Sequence, residues 1–333
     1  MALITLTSGA TFKAEPSMSI LDAAAKAYIV LLYSCKSGRC STCKCKVVSG
    51  ETIALHPETG LTDMEKTDGW ILSCVRAANT DVVLEANDIG GIELPTVKTL
   101  PCRISQITRL APDVIQVLLR LPPTTEFSFI PGQHIDIIGP NGIRRSYSLA
   151  NASFVNKVLE LHIRVVGGGA MSQYWFNQAK VNDLLRLSGP LGTFFLRGAS
   201  NIDLFFLATG TGIAPVKAML ESMGHLQQEN QPKSVTVLWG GRQSQDLYLD
   251  VAGIPGDHTY IPVQSRPERY WAGAKGYVQD VLIDMTPDLR NAAVYACGSD
   301  AMIHDAKERF VGLGLLPKRF YSDAFVCSGS NGT

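Results

Sequence analysis

The chain has no excess of either charge. Its 333 residues include 30 Lys+Arg and 30 Asp+Glu. That balance argues against a nucleic-acid or anionic-membrane surface as the main partner. Long apolar runs are also missing. Stretches such as Leu204–Ala208 fall far short of the roughly 20 residues that cross a bilayer. The opening MALITLTSGA has no basic segment followed by an apolar one, so no secretory signal is expected. These absences point to the cytoplasm, where thiols stay reduced and cysteines serve as ligands or core residues rather than disulfides. The composition is that of a globular protein, 46% hydrophobic and 18% charged, and long enough for two or three domains.

The cysteines are clustered. Five of the eight lie between Cys35 and Cys74. Cys35, Cys40 and Cys43 form Cys-x4-Cys-x2-Cys, and Cys74 stands alone further on. This is the plant-type ferredoxin spacing, in which four thiolates hold a 2Fe–2S cluster. A structural zinc site would bring two close Cys/His pairs, and the second pair is missing. A Rieske centre would need two histidines, and His56 is isolated. Gly38 lets the loop backbone approach a cluster closely, while Ser37, Ser41 and Thr42 offer hydroxyl donors. Cys45 alternates with Cys43 in CKCKVV and reads as a buried strand residue.

The neighbouring segments suit a small sheet. Strands are expected at Ala2–Leu6, Thr11–Ala14, Lys44–Val48 and Val82–Glu85. A helix is expected over Ser19–Ala27, with Ser19 as cap and Asp22 in the position of a capping-box acid. This order resembles the β-grasp domain of plant-type ferredoxins, closing near residue 93. Gly90-Gly91 and Pro95 then suit a linker at 94–97. Beyond it the charge changes: residues 96–199 carry net +6 between two segments of net −3. A basic middle suits a diphosphate ligand.

Two sets of motifs follow. Arg103–Leu121 and Ile135–Ile138 alternate like strands, separated by a turn at Pro131-Gly132-Gln133. Then come Arg144-Arg145-Ser146-Tyr147-Ser148, a strand at Leu159–Val166, the run Gly167-Gly168-Gly169-Ala-Met171-Ser172, and Ser188-Gly-Pro-Leu-Gly192-Thr-Phe194. Further on, the apolar strand Asp203–Ala208 leads into Thr209-Gly210-Thr211-Gly212-Ile213-Ala214-Pro215 and a helix at Val216–Met223. Strand, glycine turn and helix make a phosphate cradle. Strands at Val235–Trp239, Tyr260–Val263 and Val294–Ala296 end in Gly240-Gly241-Arg242, Ser265-Arg266 and Cys297-Gly298-Ser299. That alternation predicts a doubly wound parallel sheet with ligands at the strand C-termini.

In this order the motifs resemble the ferredoxin–NADP reductase superfamily over residues 97–333, with an antiparallel β-barrel flavin domain at 98–199 and a nucleotide domain at 200–333. The resemblance implies FAD and NAD(P)H as cofactors. Arg145 is then the cation for the FAD diphosphate. Tyr147 is the wall for the flavin ring, and Ser148 the partner of flavin N5. Gly169, Met171 and Ser172 lie in the phosphate turn, with Ser172 opening a helix over Gln173–Gln178. Thr211, Gly212 and Pro215 belong to the nucleotide cradle, and Arg242, Ser265 and Arg266 to the adenosine end. Cys297 and Gly298 lie where nicotinamide meets flavin. Phe325 is the candidate to cover the flavin face, with Tyr321 as the other choice.

The ferredoxin–flavin–nucleotide order is similar to three groups of reductases: those of ring-hydroxylating dioxygenases, of di-iron monooxygenases, and of 3,6-dideoxyhexose synthesis. Stretches such as Cys102 after Pro101, Leu118-Leu-Arg-Leu-Pro-Pro123 and Tyr321-Ser-Asp-Ala-Phe325 resemble the last group most. The resemblance implies electron flow from NAD(P)H through FAD and the 2Fe–2S cluster to an acceptor protein. That acceptor is an iron–sulfur, pyridoxamine-phosphate-dependent sugar 3-dehydrase or, as the alternative, an oxygenase. A redox-sensing binding protein is a further alternative, which steady reduction of cytochrome c would exclude.

Overall fold

A computed structural model describes residues 1–86, 88–152 and 157–325. The chain divides into two units, Met1–Leu94 and Pro95–Phe325. The first carries strands β1 (Ala2–Leu6), β2 (Thr11–Ala14), β3 (Lys44–Ser49), β4 (Thr52–Ala54), β5 (Trp70–Leu72), β6 (Arg76–Ala78) and β7 (Val82–Glu85). Its helices are α1 (Ile20–Lys26) and α2 (Asp63–Thr67). Five strands form a mixed sheet in the order β2-β1-β7-β3-β5, and β4 pairs with β6. Helix α1 starts where its cap dictates: Ser19 Oγ accepts from Asp22 N at 3.0 Å. Its Ile20, Leu21, Ala23 and Ala24 are buried, in one core with Ile4, Leu6, Ile71 and Leu84.

The second unit opens with an antiparallel barrel: β8 (Lys98–Ala111), β9 (Val114–Arg120), β10 (His134–Ile138), β11 (Arg144–Ser148), β12 (Val158–Arg164) and β13 (Leu184–Leu191). The strand order is β11-β10-β13-β8-β9-β12, and a bridge between Leu149 and Leu161 closes it. The alternating run Arg103–Leu121 folds as a hairpin, β8 and β9, with Ala111 facing Val114 across Pro112-Asp113. Proline lacks the N–H that a continuing ladder needs. Alternating inward residues Val117, Leu119, Leu159, Leu161, Ile135 and Ile137 fill the barrel.

The last strands, β14 (Asp203–Thr209), β15 (Ser234–Gly241), β16 (Thr259–Gln264), β17 (Ala274–Lys275), β18 (Ala292–Gly298) and β19 (Phe320–Ala324), are all parallel. Their order is β17-β16-β15-β14-β18-β19. Strand β14 therefore has its sequence neighbour β15 on one side and the late strand β18 on the other. The order reverses there, and such a switch point is where doubly wound sheets bind ligands. Helices α4 (Ile213–Met223), α5 (Val278–Asp284) and α6 (Asp300–Gly312) flank the strands; α3 (Ala170–Gln173) belongs to the barrel segment. None of the helices among the described residues is long and apolar enough to cross a membrane.

One strand joins the barrel to the parallel sheet. Glu160, His162 and Arg164 alternate along β12, and each meets the nucleotide segment. Glu160 Oε2 lies 3.0 Å from Lys217 Nζ. His162 Nδ1 lies 3.1 Å from the Tyr248 hydroxyl. Arg164 Nη2 lies 2.8 Å from Asp246 Oδ1. Burial pushes the Glu160 carboxyl up, but the His162 contact, the Lys217 cation and Gln116 outweigh it and bring the group down to about 2 from 4.5. A depressed carboxyl stabilises the fold above its ordinary pKa, and that contribution is lost as pH falls through the folded value. The urea midpoint of wild type should therefore fall between about pH 4.5 and pH 2. Glu160→Gln should flatten that fall while lowering the midpoint at pH 7. An unchanged profile in the variant would show that the ion pair carries no folding free energy.

Candidate functional site

The cysteine loop turns tightly before β3. Lys36, Gly38 and Ser41 all adopt positive φ, 51°, 74° and 58°. Gly38 is required: a Cβ there would lie 2.5 Å from the Pro57 carbonyl. This geometry turns N–H groups toward sulfur. Ser37 N lies 3.4 Å from Cys35 Sγ, and Cys35 N lies 3.5 Å from Cys40 Sγ. Cys74 comes from a separate turn, Ser73–Val75, fastened to the loop by Ser73 N and Ser73 Oγ, each 3.1 Å from the Cys43 carbonyl.

The four thiols meet as two pairs. Cys35 hydrogen-bonds with Cys40, which is the first cause of its fall to about 4, while Cys40 is pushed up. Cys74 is likewise lowered by its bond with Cys43, and Cys43 rises. Four thiols from one loop and one turn, with backbone N–H groups aimed at their sulfurs, suit an iron–sulfur cluster. The Thr42 hydroxyl is buried beside Cys40 and favours its thiolate. The donor set therefore fits a 2Fe–2S cluster. Cys45 stands apart on β3, 2% exposed, and burial pushes its thiol up to about 12.

In the barrel, β11 lays out the Arg-x-Tyr-Ser motif along β10, with Tyr147 beside Ile135 and Ser148 beside His134. Strand alternation separates their environments. Arg145 is exposed, Tyr147 half-buried and Ser148 buried. The Tyr147 hydroxyl accepts from Trp175 Nε1 at 2.9 Å, and the two rings meet edge to face. This hydrogen bond orients the tyrosine ring. The glycine run leads into a helix that starts earlier than the sequence suggests. Gly169 is its N-cap and Ala170 its first residue, so Ser172 lies inside the first turn instead of opening it. The reason is local: Ser172 Oγ turns back to accept from Val166 N at 2.8 Å. The Met171 side chain is buried against Gly139, which leaves only its backbone for a ligand.

At the sheet's switch point β14 ends in the turn Gly210–Gly212, and α4 begins at Ile213, three residues before the expected start. Pro215 fits in its first turn because the N–H it lacks would have no partner there. Gly212 and Gly298 let two strand ends touch. A Cβ on Gly212 would lie 2.3 Å from the Cys297 carbonyl, and one on Gly298 would lie 2.3 Å from Thr209 Oγ1. Thr211, in the middle of the turn, is half-buried. Burial, then Asp323, pushes the Cys297 thiol well above its usual range. Phe325 N donates to the Gly298 carbonyl at 2.8 Å, and its ring is 37% exposed. Tyr321 instead stacks on Tyr295 with ring centres 4.7 Å apart.

Strand pairing also brings Arg242 and Arg266 together, because Arg266 N donates to the Arg242 carbonyl at 3.0 Å. Both side chains are exposed. Ser265 Oγ lies 3.4 Å from the Gly241 carbonyl. Glu268, the nearest acid in sequence, accepts from Ser244 Oγ at 3.1 Å.

Sequence reasoning missed Arg164, which lies at the glycine turn: a Cβ on Gly210 would be 3.0 Å from its Nη1. The polar positions 160, 162 and 164 on one face of a barrel strand were the available signal.

A four-thiol site, a flavin-motif barrel and a nucleotide cradle define the class: an electron-transfer flavoprotein reductase. Family models agree, in order. The 2Fe-2S iron-sulfur cluster binding domain matches residues 4–79, the oxidoreductase FAD-binding domain 101–196, and the oxidoreductase NAD-binding domain 206–308. The chain is 41% identical over 326 residues to the CDP-6-deoxy-L-threo-D-glycero-4-hexulose-3-dehydrase reductase of Yersinia pestis, covering 96% of this chain and 97% of that one. It is 30% identical to terephthalate 1,2-dioxygenase reductase component 1 of Comamonas sp, covering 96% of each. The structure is similar to that of an Amycolatopsis cytochrome P450 reductase, with TM-score 0.75, 27% identity and coverage of 98% and 99%. The chain belongs to the family of NAD(P)H-dependent reductases that join a plant-type 2Fe–2S ferredoxin domain to FAD- and NAD-binding domains.

Replacing cysteines separates ligand from core. Cys35→Ser, Cys40→Ser, Cys43→Ser and Cys74→Ser should each lose the roughly two iron and two labile sulfide per chain of one cluster, and Cys45→Ser should keep them. Iron and sulfide assays check this; loss in Cys45→Ser with retention in any of the other four would overturn the assignment.

Proposed function

We propose that this reductase delivers electrons to an iron–sulfur sugar-nucleotide 3-dehydrase, as a CDP-6-deoxy-delta-3,4-glucoseen reductase does in 3,6-dideoxyhexose synthesis. The observation that carries this reading is the 41% identity, over nearly the whole of both chains, to a reductase named for such a dehydrase. The alternative acceptor is the oxygenase of an aromatic dioxygenase system, favoured by the less similar Comamonas relative.

The bound groups supply the redox chemistry: hydride from the nicotinamide to the flavin, and single electrons through the cluster. The protein's residues bind and orient them. Cys35, Cys40, Cys43 and Cys74 are the cluster ligands. Arg145, exposed at the barrel edge, takes the FAD diphosphate, assisted by the N–H groups of Met171 and Ser172 beyond the Gly169 cap. Tyr147, oriented by Trp175, lines the flavin ring, and Ser148 faces its N5. Thr211, Gly212 and Pro215 frame the nucleotide diphosphate at the start of α4. Cys297 and Gly298 lie at the strand end where the nicotinamide meets the flavin, and Phe325 covers the flavin face. Arg242, Ser265 and Arg266 face the adenosine end.

Acceptor choice is tested by anaerobic NADH oxidation with purified partners. A pyridoxamine-phosphate 3-dehydrase and its CDP-6-deoxy-4-hexulose substrate should stimulate turnover, and a terephthalate-type oxygenase should not. Stimulation by the oxygenase alone would establish the alternative, while no steady turnover with either partner or with cytochrome c would favour a sensor.

Nucleotide choice is tested at Arg266. Both nucleotides should work, with NADH slightly preferred. Arg266→Ala should lower kcat/KM for NADPH by roughly tenfold or more and spare NADH, in line with the ~1.5–3 kcal/mol of a hydrogen bond to a charged group. An equal loss for both, or none, would leave Arg242 as the cation for the 2′-phosphate.

A further inference from the structure

One buried acid in the ferredoxin unit belongs to none of these roles. The Glu58 side chain is 4% exposed. Its Oε1 accepts from Leu72 N at 2.7 Å, and its Oε2 lies 3.1 Å from Arg76 Nε. Leu72 and Arg76 bracket the turn Ser73–Val75 that carries Cys74. The segment that follows Glu58 holds the cysteine loop. Gly60 N donates to the Gly38 carbonyl at 2.9 Å, Thr59 Oγ1 to the same carbonyl at 3.4 Å, and Ser41 Oγ to the Gly60 carbonyl. The two pieces of chain that carry the four thiols are thus joined through one short segment with a carboxylate at its head. Its charge is felt nearby: after burial, Glu58 is the next cause raising the Cys45 thiol.

We propose that Glu58 and Arg76 act as a positioning and tuning pair for the iron–sulfur site, holding the Cys74 turn against the cysteine loop and setting the reduction potential by their opposed charges. A buried anion near a cluster opposes the arrival of an electron, and a cation favours it. Net charge, hydrogen bonding and exposure are the levers that tune such centres. Leu72 N donates to Oε1 and the Arg76 side chain lies beside Oε2, so one carboxylate bridges the two ends of the Cys74 turn.

The inference rests on the four-thiolate reading, and EPR-monitored redox titration of the full-length holoprotein tests the two separately. Glu58→Gln keeps an acceptor for Leu72 N and should retain the cluster. Its midpoint should move positive, with roughly a tenfold higher reduced-to-oxidised ratio at a fixed potential, about 59 mV for one electron. Arg76→Gln leaves the acid uncompensated and should move the midpoint negative. Glu58→Asp restores the charge and should return it toward wild type. Unmoved midpoints in both neutral variants, or shifts of the same sign, overturn the proposal. If Glu58→Gln fails to retain a cluster, Arg76→Gln decides alone: a negative shift supports the proposal, and no shift or a positive one overturns it. A wild type without a 2Fe–2S signal on reduction would defeat the four-thiolate reading itself.

Discussion

The Lys217 ammonium is the point on which the flavin–nucleotide unit turns. It donates to the Ala150 carbonyl at 2.9 Å, to Glu160 at 3.0 Å and to Glu221 at 2.6 Å. Ala150 lies two residues beyond Ser148 of the flavin motif, and Lys217 lies two residues beyond Pro215 of the nucleotide cradle. One side chain, 13% exposed, therefore ties the two cofactor motifs together. Hydride transfer demands reacting atoms held near contact distance, and a half-buried cation with three acceptors resists displacement because leaving it unpaired is costly. The His162–Tyr248 and Arg164–Asp246 contacts extend this seam along β12. Asp246 continues it into the nucleotide loop by accepting from Arg242 N at 2.7 Å.

The ferredoxin unit solves a different problem with similar means. Four thiols from two distant stretches of chain must converge in two pairs, and short loops carry little packing of their own. Backbone carbonyls supply the fastening instead: Cys43 O holds Ser73, and Gly38 O holds Thr59 and Gly60. The loop turns through left-handed conformations at Lys36, Gly38 and Ser41, and glycine and small polar residues suit such turns.

Much of this was legible in the chain itself. The cysteine spacing, the Arg-x-Tyr-Ser motif and the Gly-Thr-Gly turn are local patterns whose chemistry depends on neighbours in sequence. Strand positions were also readable, because apolar alternation and apolar runs report burial directly. The rest lies where local pattern is silent. The β8–β9 hairpin turns on two residues, so alternation continues through it almost unbroken. The helix after the glycine run begins at Ala170 because Ser172 spends its hydroxyl on Val166 N, a bond that no spacing rule announces.

The sequence by itself determined the cofactor set, the domain order and the identity of the thiol run, since each depends on residue type at short spacing. Tertiary structure alone decided the rest. It paired the thiols two by two, placed Arg242 beside Arg266 through strand register, committed Tyr321 to a stack with Tyr295 while Phe325 stayed exposed, and brought Glu58 to the Cys74 turn. These outcomes depend on contacts between residues far apart in the chain. Sheet register and burial select those contacts, and neither is written into any one stretch of sequence.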